Sequence, residues 1–166
     1  MRRSLHTFLP VSGDAEAIRH AFTSDPDVWL PDGEPVGSDR WTTTVRAGHL
    51  VRTVTARVGP PRRAGDTRWR SLSWEPSAPD DGHGPIERFL PSLDGQLGLN
   101  VTLGDATLLL DAGYEPPGGL AGAALDSVAL HQVTRHTLER FLAEIATRLG
   151  GGIAPATNEL GEHLRR

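Results

Sequence analysis

Three polar side chains in this sequence are placed where they could act on a molecule held among apolar residues. His131 lies on a long helical segment, at the edge of its apolar side, where an imidazole could act as a general acid or base. Arg52 lies in a mostly apolar row of a predicted strand, where its guanidinium could bind a carboxylate or a phenolate. Tyr114 ends another strand and could donate a hydrogen bond. This set could transfer a proton or orient a polar group.

Each of these side chains also has a purely structural interpretation. His131 could tie the helix to the strand near Tyr114 by a hydrogen bond, and we favour this interpretation because catalysis needs a second oriented group that spacing does not reveal. Arg52 could form an internal ion pair with Glu75 or Asp126, or extend to the mouth of a cavity. Tyr114 could simply anchor the turn that follows it. We therefore assign no residue firmly to catalysis, and His131 is the catalytic candidate.

The residue types exclude several other chemistries. The chain contains no cysteine, which excludes disulfides, thiolate metal sites and cysteine nucleophiles together. His131 and His136 are five residues apart and point to different faces of a helix, so they do not form a zinc pair. The Asp-Asp-Gly-His segment at residues 80–83 lies in a loop rich in glycine and proline, without further ligands nearby in the sequence. We expect no metal and no cofactor.

The elements that position these residues begin with short, mixed structure. Residues 5–9 are predicted to form a strand, and Asp14 with its neighbours supplies the cap of a helix over residues 15–22. A second short helix is predicted around residues 28–30, before a Pro-Asp-Gly turn. The chain therefore enters its main sheet only after two short helices.

The first hairpin is predicted from alternating apolar and polar residues after position 40. Its two strands are separated by an Ala-Gly pair at residues 47–48, which is a two-residue connection. This connection predicts that Thr43 faces Arg52 and that Trp41 faces Val54 across the antiparallel pair. Arg52 is thereby placed on the same side of the sheet as these apolar residues.

The second hairpin has the clearer alternation. Along residues 93–103, apolar residues alternate with polar or small ones almost without exception, which predicts a half-buried strand. A tight turn at residues 104–105 predicts that Leu99 faces Leu110. The strand before it, at residues 69–74, has a tryptophan at each end. The loop that precedes this strand is too long to set a register, so which tryptophan points inward stays open.

One long amphipathic helix ending near Leu149 completes the order. A run of three glycines ends it, and the tail at residues 150–166 is predicted to be flexible, which leaves one domain at residues 1–149. At about 100° per residue, one side of the helix gathers its apolar and small residues. These are Leu130, Thr134, Thr137, Leu138, Phe141 and Ile145, flanked by Leu142 and Leu149.

The charge pattern restricts the partners. The 17 basic residues are all arginine and are scattered among 21 acidic ones, so no basic stripe marks a nucleic-acid face. The N-terminal residues lack the apolar run of a signal peptide, and no segment approaches the ~20 apolar residues of a membrane span. We expect a cytoplasmic protein, monomeric or homodimeric, with no nucleic-acid partner and no stable insertion into membranes.

Four short segments resemble a known family. They are WEP at residues 74–76, FLPSLDG at 89–95, GYEPP at 113–117, and LD at 125–126 followed by LHQV at 130–133. Together with the element order, they resemble uncharacterised bacterial members of the START-like (SRPBCC) superfamily, which includes polyketide cyclases and Bet v 1-like ligand carriers. The resemblance implies an α+β helix-grip fold: a curved antiparallel sheet wrapped around a long C-terminal helix, with two short helices after the first strand. It also implies an apolar cavity, but no single reaction.

The expected function is binding of a small hydrophobic or amphipathic ligand, such as a lipid, a polyketide-like molecule or an aromatic compound, between sheet and helix. The alternatives are an enzyme of the polyketide cyclase or dehydratase type that uses the same cavity, and a regulatory or interaction module with a collapsed cavity. The residues expected to line the cavity are Trp41, Thr43, Arg52, Val54, Trp69, Leu97, Leu99, Val101, Leu110, Tyr114, His131, Thr134, Leu138 and Phe141.

Overall fold

The computed structural model describes residues 3–75, 90–115 and 127–151, and the side chains within these ranges except those of residues 127–130. In chain order its elements are β1 (Arg3–Val11), α1 (Ala15–Thr23), a 3-10 turn (Pro26–Val28), β2 (Glu34–Pro35), β3 (Arg40–Ala47), β4 (Leu50–Val58), β5 (Arg62–Ala64), β6 (Thr67–Trp74), β7 (Ser92–Thr102), β8 (Asp105–Glu115) and α2 (Ser127–Leu149). The predicted flexible tail, except for Gly150 and Gly151, lies outside the described residues.

The strands form one antiparallel sheet that curls around α2. Its order is β1-β8-β7-β6-β4-β3-β2, with β5 paired to β6. Helix α2 contacts both β1 and β3, although four strands lie between them in the sheet. In a flat sheet β1 and β3 would be about 24 Å apart, at ~4.8 Å for each strand spacing, which a single helix does not span. The sheet is therefore strongly curved, and the predicted α+β helix-grip fold is confirmed.

The segment between β1 and β2 contains one helix and one short turn. Helix α1 begins where predicted, because the Asp14 carboxylate accepts a hydrogen bond from the amide of Ala17 at 2.8 Å. The prediction of a second short helix is wrong, since only the three-residue 3-10 turn at Pro26–Val28 forms. Pro31 has no amide to continue a helix, and Asp32 has a left-handed φ of 49°. These two residues stop the second helix.

The first hairpin turns one residue later than predicted. Its turn residues are Gly48 and His49, so Thr43 pairs with Val54 and Arg52 pairs with Val45. Gly48 has a φ of +60°, which suits glycine at the first position of a two-residue hairpin turn. The predicted pairs are therefore wrong by two residues, but the faces are right because side chains alternate with period two.

The second hairpin is shifted in the opposite direction, because it turns one residue earlier than predicted. Leu103 and Gly104 form the turn, with φ values of 53° and 87°. Two positive φ values define the type of turn that matches the twist of a hairpin. Leu99 therefore pairs with Leu108, and Leu110 pairs with Leu97. The prediction that Leu99 faces Leu110 is wrong in register, although both residues lie on the predicted face.

The concave face of the sheet and the predicted side of α2 form the core. From residue 131 onward, the buried side chains of α2 are Thr134, Thr137, Leu138, Phe141, Leu142, Ile145, Ala146 and Leu149, which confirms this part of the predicted stripe. The side chain of Leu130, also predicted to belong to it, lies outside the described residues. On β7, a side chain at Gly95 would overlap the carbonyl oxygen of Asp111, so glycine permits the close approach of β7 and β8 there. Among the helices in the described ranges, none is long and apolar enough to cross a membrane.

Candidate functional site

Tyr114 and His131 meet where the end of β8 approaches the first turns of α2. The Tyr114 hydroxyl is hydrogen bonded to Nδ1 of His131. The planes of the two rings are within 14° of parallel, and their centroids are 5.9 Å apart. The predicted bond that ties the helix to the strand is confirmed. Since Nε2 is on the other side of the imidazole ring, it is directed away from Tyr114.

The surroundings of Tyr114 keep its phenol neutral. Its side chain is only 1% exposed. Burial raises the pKa of Tyr114, and the positive charges of Arg3 and Arg135 offset only part of this effect. The phenol therefore stays protonated at neutral pH and keeps its capacity to donate a hydrogen bond.

Tyr114 is the last member of an aromatic row that crosses the concave face. Neighbouring strands pair these residues one by one in the order Trp41, Ala56, Trp74, Leu93 and Tyr114. Phe141 of α2 packs edge-on against Trp74, with centroids 5.2 Å apart and planes at 71°. The indole N–H of Trp74 donates to the carbonyl of Pro91 at 3.0 Å. The aromatic row thus gives this end of the concave face a broad apolar wall.

The structure decides which tryptophan of β6 points inward. Trp74 is 2% exposed and alternates with the buried residues Leu72 and Arg70. Trp69 has the opposite parity, and its ring lies over Gly98 on the outer face of the sheet. The assignment of Trp69 to the cavity is therefore wrong. Its flat indole packs on the outer face, in the space that Gly98 leaves free because it has no side chain. Trp74 takes its place in the site.

The predicted lining residues that lie deeper in the interior pack against one another as a closed core. Four leucines on the predicted faces are exposed by at most 2%, namely Leu97, Leu99, Leu110 and Leu138. Val101 is partly buried against them. Val54 and Thr134 are also buried, and Thr43 donates its hydroxyl to the carbonyl of Pro31 at 2.7 Å. These side chains share one interior, and their packing leaves almost no accessible surface on them.

Arg52 lies on a part of β4 that extends past β6. The pairing of β4 with β6 covers only residues 56–58, whereas β4 pairs with β3 along its length. Arg52 is partly exposed there, and its guanidinium approaches the carbonyl of Val51 at 3.5 Å. Of its two predicted partners, Asp126 lies outside the described residues. We call residues 43–55 the hairpin arm, and Arg52 belongs to this arm.

The sequence analysis missed Arg70, the most buried arginine of the described chain. Arg70 is 5% exposed and its guanidinium lies 5.5 Å from the centre of the Trp29 ring. It donates three hydrogen bonds of 2.8 to 2.9 Å to the carbonyls of Gly59, Phe22 and Ser24. Burial lowers the pKa of Arg70, with Asp25 opposing this effect. Its alternation with two buried residues of β6 was the signal that could have placed it inside.

A cluster of ion pairs joins α2 to the hairpin arm and to the turn before it. Arg46 contacts Glu144 at 2.7 Å and Asp32 at 3.4 Å, and Arg148 contacts Asp32 at 3.0 Å. Arg140 also contacts Glu144, at 3.6 Å. Burial alone would raise the pKa of Asp32. A hydrogen bond from Thr44 and the positive charges of Arg148 and Arg46 outweigh this effect and lower the pKa overall. We call this cluster the ionic seam.

Metal ligation has little support in the described ranges. There, no group of three or more histidine and acidic side chains is arranged to hold a metal ion. The segment at residues 80–83 lies outside the described residues.

Comparisons with known proteins place the chain by its fold. No protein-family profile and no curated protein matches the sequence. The Zhui aromatase/cyclase from Streptomyces sp. R1128 has a TM-score of 0.56 at 13% identity, over 91% of this chain and 93% of its own. Ara h 8.0201 has a TM-score of 0.55 at 12% identity, over 92% of this chain and 100% of its own. The di-domain ARO/CYC protein StfQ from the steffimycin biosynthetic pathway has a TM-score of 0.56 at 11% identity, over 91% of this chain and 50% of its own. At these identities the shared property is the fold.

Proposed function

We propose that this chain, which has the START-like (SRPBCC, Bet v 1-like) helix-grip fold, binds a small hydrophobic or amphipathic molecule between α2 and the aromatic row. The ligand classes that suit such a wall are aromatic compounds, polyketide-like molecules and lipids. One observation carries the proposal: a broad aromatic wall lies beside the hydrogen-bonded pair of Tyr114 and His131. An apolar surface with few polar groups is the usual composition of a small-molecule site.

Accessibility supports this end of the interior as the point of entry. His131 is partly exposed there, whereas the deeper leucines are closed off from solvent. Trp74 and Phe141 are each 2% exposed and pack against each other, so the aromatic wall is closed as well. A ligand would therefore approach from the end where α2 begins and would separate Phe141 from Trp74 to pack between them.

The inward and outward tryptophans of β6 provide a matched test. N-phenyl-1-naphthylamine, a neutral apolar fluorophore, is titrated into the wild type and into the Trp74→Phe and Trp69→Phe variants. We expect micromolar binding by the wild type, several-fold weaker binding by Trp74→Phe, and unchanged binding by Trp69→Phe. Equal effects of the two substitutions, or no binding by the folded wild type, would contradict the proposal. Circular dichroism checks that both variants are folded.

The closed packing favours a second candidate function. A module whose interior is filled by its own leucines would use this fold for regulation or interaction without holding a ligand. Failure of the folded protein to bind any apolar probe would favour this candidate over ligand binding.

A cyclase or dehydratase would use the same site, with His131 as the group that transfers a proton. Two of the similar structures are described as aromatase/cyclases, a description that belongs to those proteins. Loss of turnover in His131→Ala with binding retained would identify a reaction here.

A further inference from the structure

We propose that His131 is a hydrogen-bond donor that selects the head group of the ligand. The site would take molecules whose polar end carries an acceptor, above all an anionic oxygen such as a carboxylate or a phenolate, and would discriminate against a cationic end. This inference rests on the proposed function, because it assumes that a ligand binds beside the aromatic row.

The first step concerns the proton on the imidazole. A neutral imidazole has one donor and one acceptor nitrogen, and Nδ1 of His131 is the nitrogen that meets the Tyr114 hydroxyl. We assign the neutral Tyr114 phenol as the donor to this nitrogen, which places the proton of the neutral ring on Nε2. If the imidazole is protonated, both nitrogens carry hydrogen and the Tyr114 oxygen accepts instead. With this assignment, Nε2 is a donor in either charge state.

The second step concerns whether this donor is available. Nδ1 faces the Tyr114 hydroxyl, so Nε2 lies on the side of the imidazole that faces away from Tyr114. Tyr114 is the sole hydrogen-bond partner of His131 within the part of the chain that the structure describes. The imidazole is partly exposed, and a ligand can therefore reach it.

The third step concerns charge. Within the described residues, the charged groups that act on the pKa of Tyr114 are Arg3 and Arg135, and both are positive. Arg135 also pairs with Glu139 at 2.8 Å, which neutralises part of its effect. The remaining positive potential favours an anionic acceptor over a neutral carbonyl, since a charged acceptor forms the stronger hydrogen bond. A cationic head group would meet both like charge and a donor without an acceptor.

Naphthalenes that differ only in their substituent test the selection. At one fixed pH near neutrality, we would measure the affinities of naphthalene-2-carboxylate, 2-acetylnaphthalene, 2-ethylnaphthalene and 2-naphthylmethylamine by calorimetry. We expect the carboxylate to bind at least about tenfold more tightly than the ammonium compound, with the ketone between them. Equal affinity of the carboxylate and the ammonium compound would overturn the proposal.

A pair of variants locates the effect. His131→Phe keeps an aromatic ring at this position but removes the N–H donor. The preference for the carboxylate should therefore disappear, while 2-ethylnaphthalene still binds. His136, exposed on the other side of α2, provides the control, and His136→Phe should keep the wild-type preference. A preference that survives in His131→Phe would contradict the role of this imidazole.

The tautomer gives a readout that needs no ligand. Nitrogen-15 NMR of the imidazole of His131 should show hydrogen on Nε2, and Tyr114→Phe should remove this bias, since Tyr114 acts as a positioning residue. A proton found on Nδ1 alone in the wild type would overturn the donor assignment. If no naphthalene binds, ethylnaphthalene included, the proposed function fails while the donor assignment is still decided by this measurement.

Discussion

At the scale of the residue, four polar side chains of the concave side fall into two classes. Arg70 donates three hydrogen bonds to backbone carbonyls, and Thr43 donates one, so their donors serve the fold. Tyr114 and His131 satisfy each other but leave an imidazole N–H directed away from the pair. Only groups of the second class can bind a ligand without giving up a contact that the folded chain needs.

We expect Arg70 to be required for the stability of the fold and to have no direct part in ligand binding. Replacing it with methionine keeps much of the apolar stem but leaves three carbonyls without their donor, those of Phe22 and Ser24 at the end of α1 and that of Gly59 after β4. We expect the free energy of unfolding to fall by about 3 kcal/mol or more. Arg68→Met, on the same strand and partly exposed, is the control and should change it by less than about 0.5 kcal/mol. Urea denaturation measures both, and similar small effects would show that the three hydrogen bonds contribute little.

The same residues show how far the sequence could predict the site. The bond between His131 and Tyr114 was predictable because helix periodicity placed one side chain and strand alternation the other. Arg70 was not predicted, because two of its three acceptors, the carbonyls of Phe22 and Ser24, belong to a segment almost 50 positions earlier in the chain. The role of a charged side chain on a buried face can be assigned only when the segment that provides its hydrogen-bond partners is known.

At the scale of the element, the hairpin arm is attached to the body of the protein by strand pairing, by ion pairs and by hydrogen bonds from Thr43 and Thr44 to the carbonyl of Pro31. Three residue pairs connect β4 to β6, at residues 56–58, and the ionic seam connects β3 to α2. The arm carries the inward residues Val45 and Val54, so it forms one side of the interior. Its contact with α2 thus affects both stability and access of a ligand.

Glu144→Gln should loosen the arm. The change removes the negative charge that faces Arg46 at 2.7 Å and Arg140 at 3.6 Å. Because these groups are partly exposed, we expect the free energy of unfolding to fall by about 1 kcal/mol or less. We also expect faster hydrogen exchange of backbone amides in the hairpin arm. Salt should reduce the difference from the wild type.

A second glutamate of α2 is the control for this prediction. Glu139 pairs with Arg135 on the same helix at 2.8 Å and does not connect two elements. Glu139→Gln should leave exchange in the arm unchanged, and mass spectrometry of exchanged peptides measures both variants. Equal exchange in the two variants would show that the ionic seam does not hold the arm.

Element order was predictable, while register depended on a single residue at each turn. Alternation and helix periodicity predicted both hairpins and the buried side of α2. A glycine in a two-residue turn can occupy either turn position, and the choice moved each hairpin by two residues without changing its faces. The inward tryptophan of β6 could not be predicted, because a long loop precedes that strand and leaves its parity free.

At the scale of the whole molecule, the curved sheet grips α2 from both sides. Contacts with β1 and β3 hold the helix across the gap that the sheet leaves open. The depth of the interior is closed by leucines, and the polar pair lies where α2 begins. This arrangement places a ligand against the aromatic row, with its polar end at His131.

The position of a bound ligand tests this account most directly. Isotope-filtered NOE measurements on the complex with naphthalene-2-carboxylate report which side chains lie within a few ångströms of the naphthalene protons. We predict NOEs to Trp74 and Phe141 and none to Trp69, which lies on the outer face of the same strand. NOEs to Trp69 alone, or a folded protein with no NOEs to the aromatic row, would contradict the account.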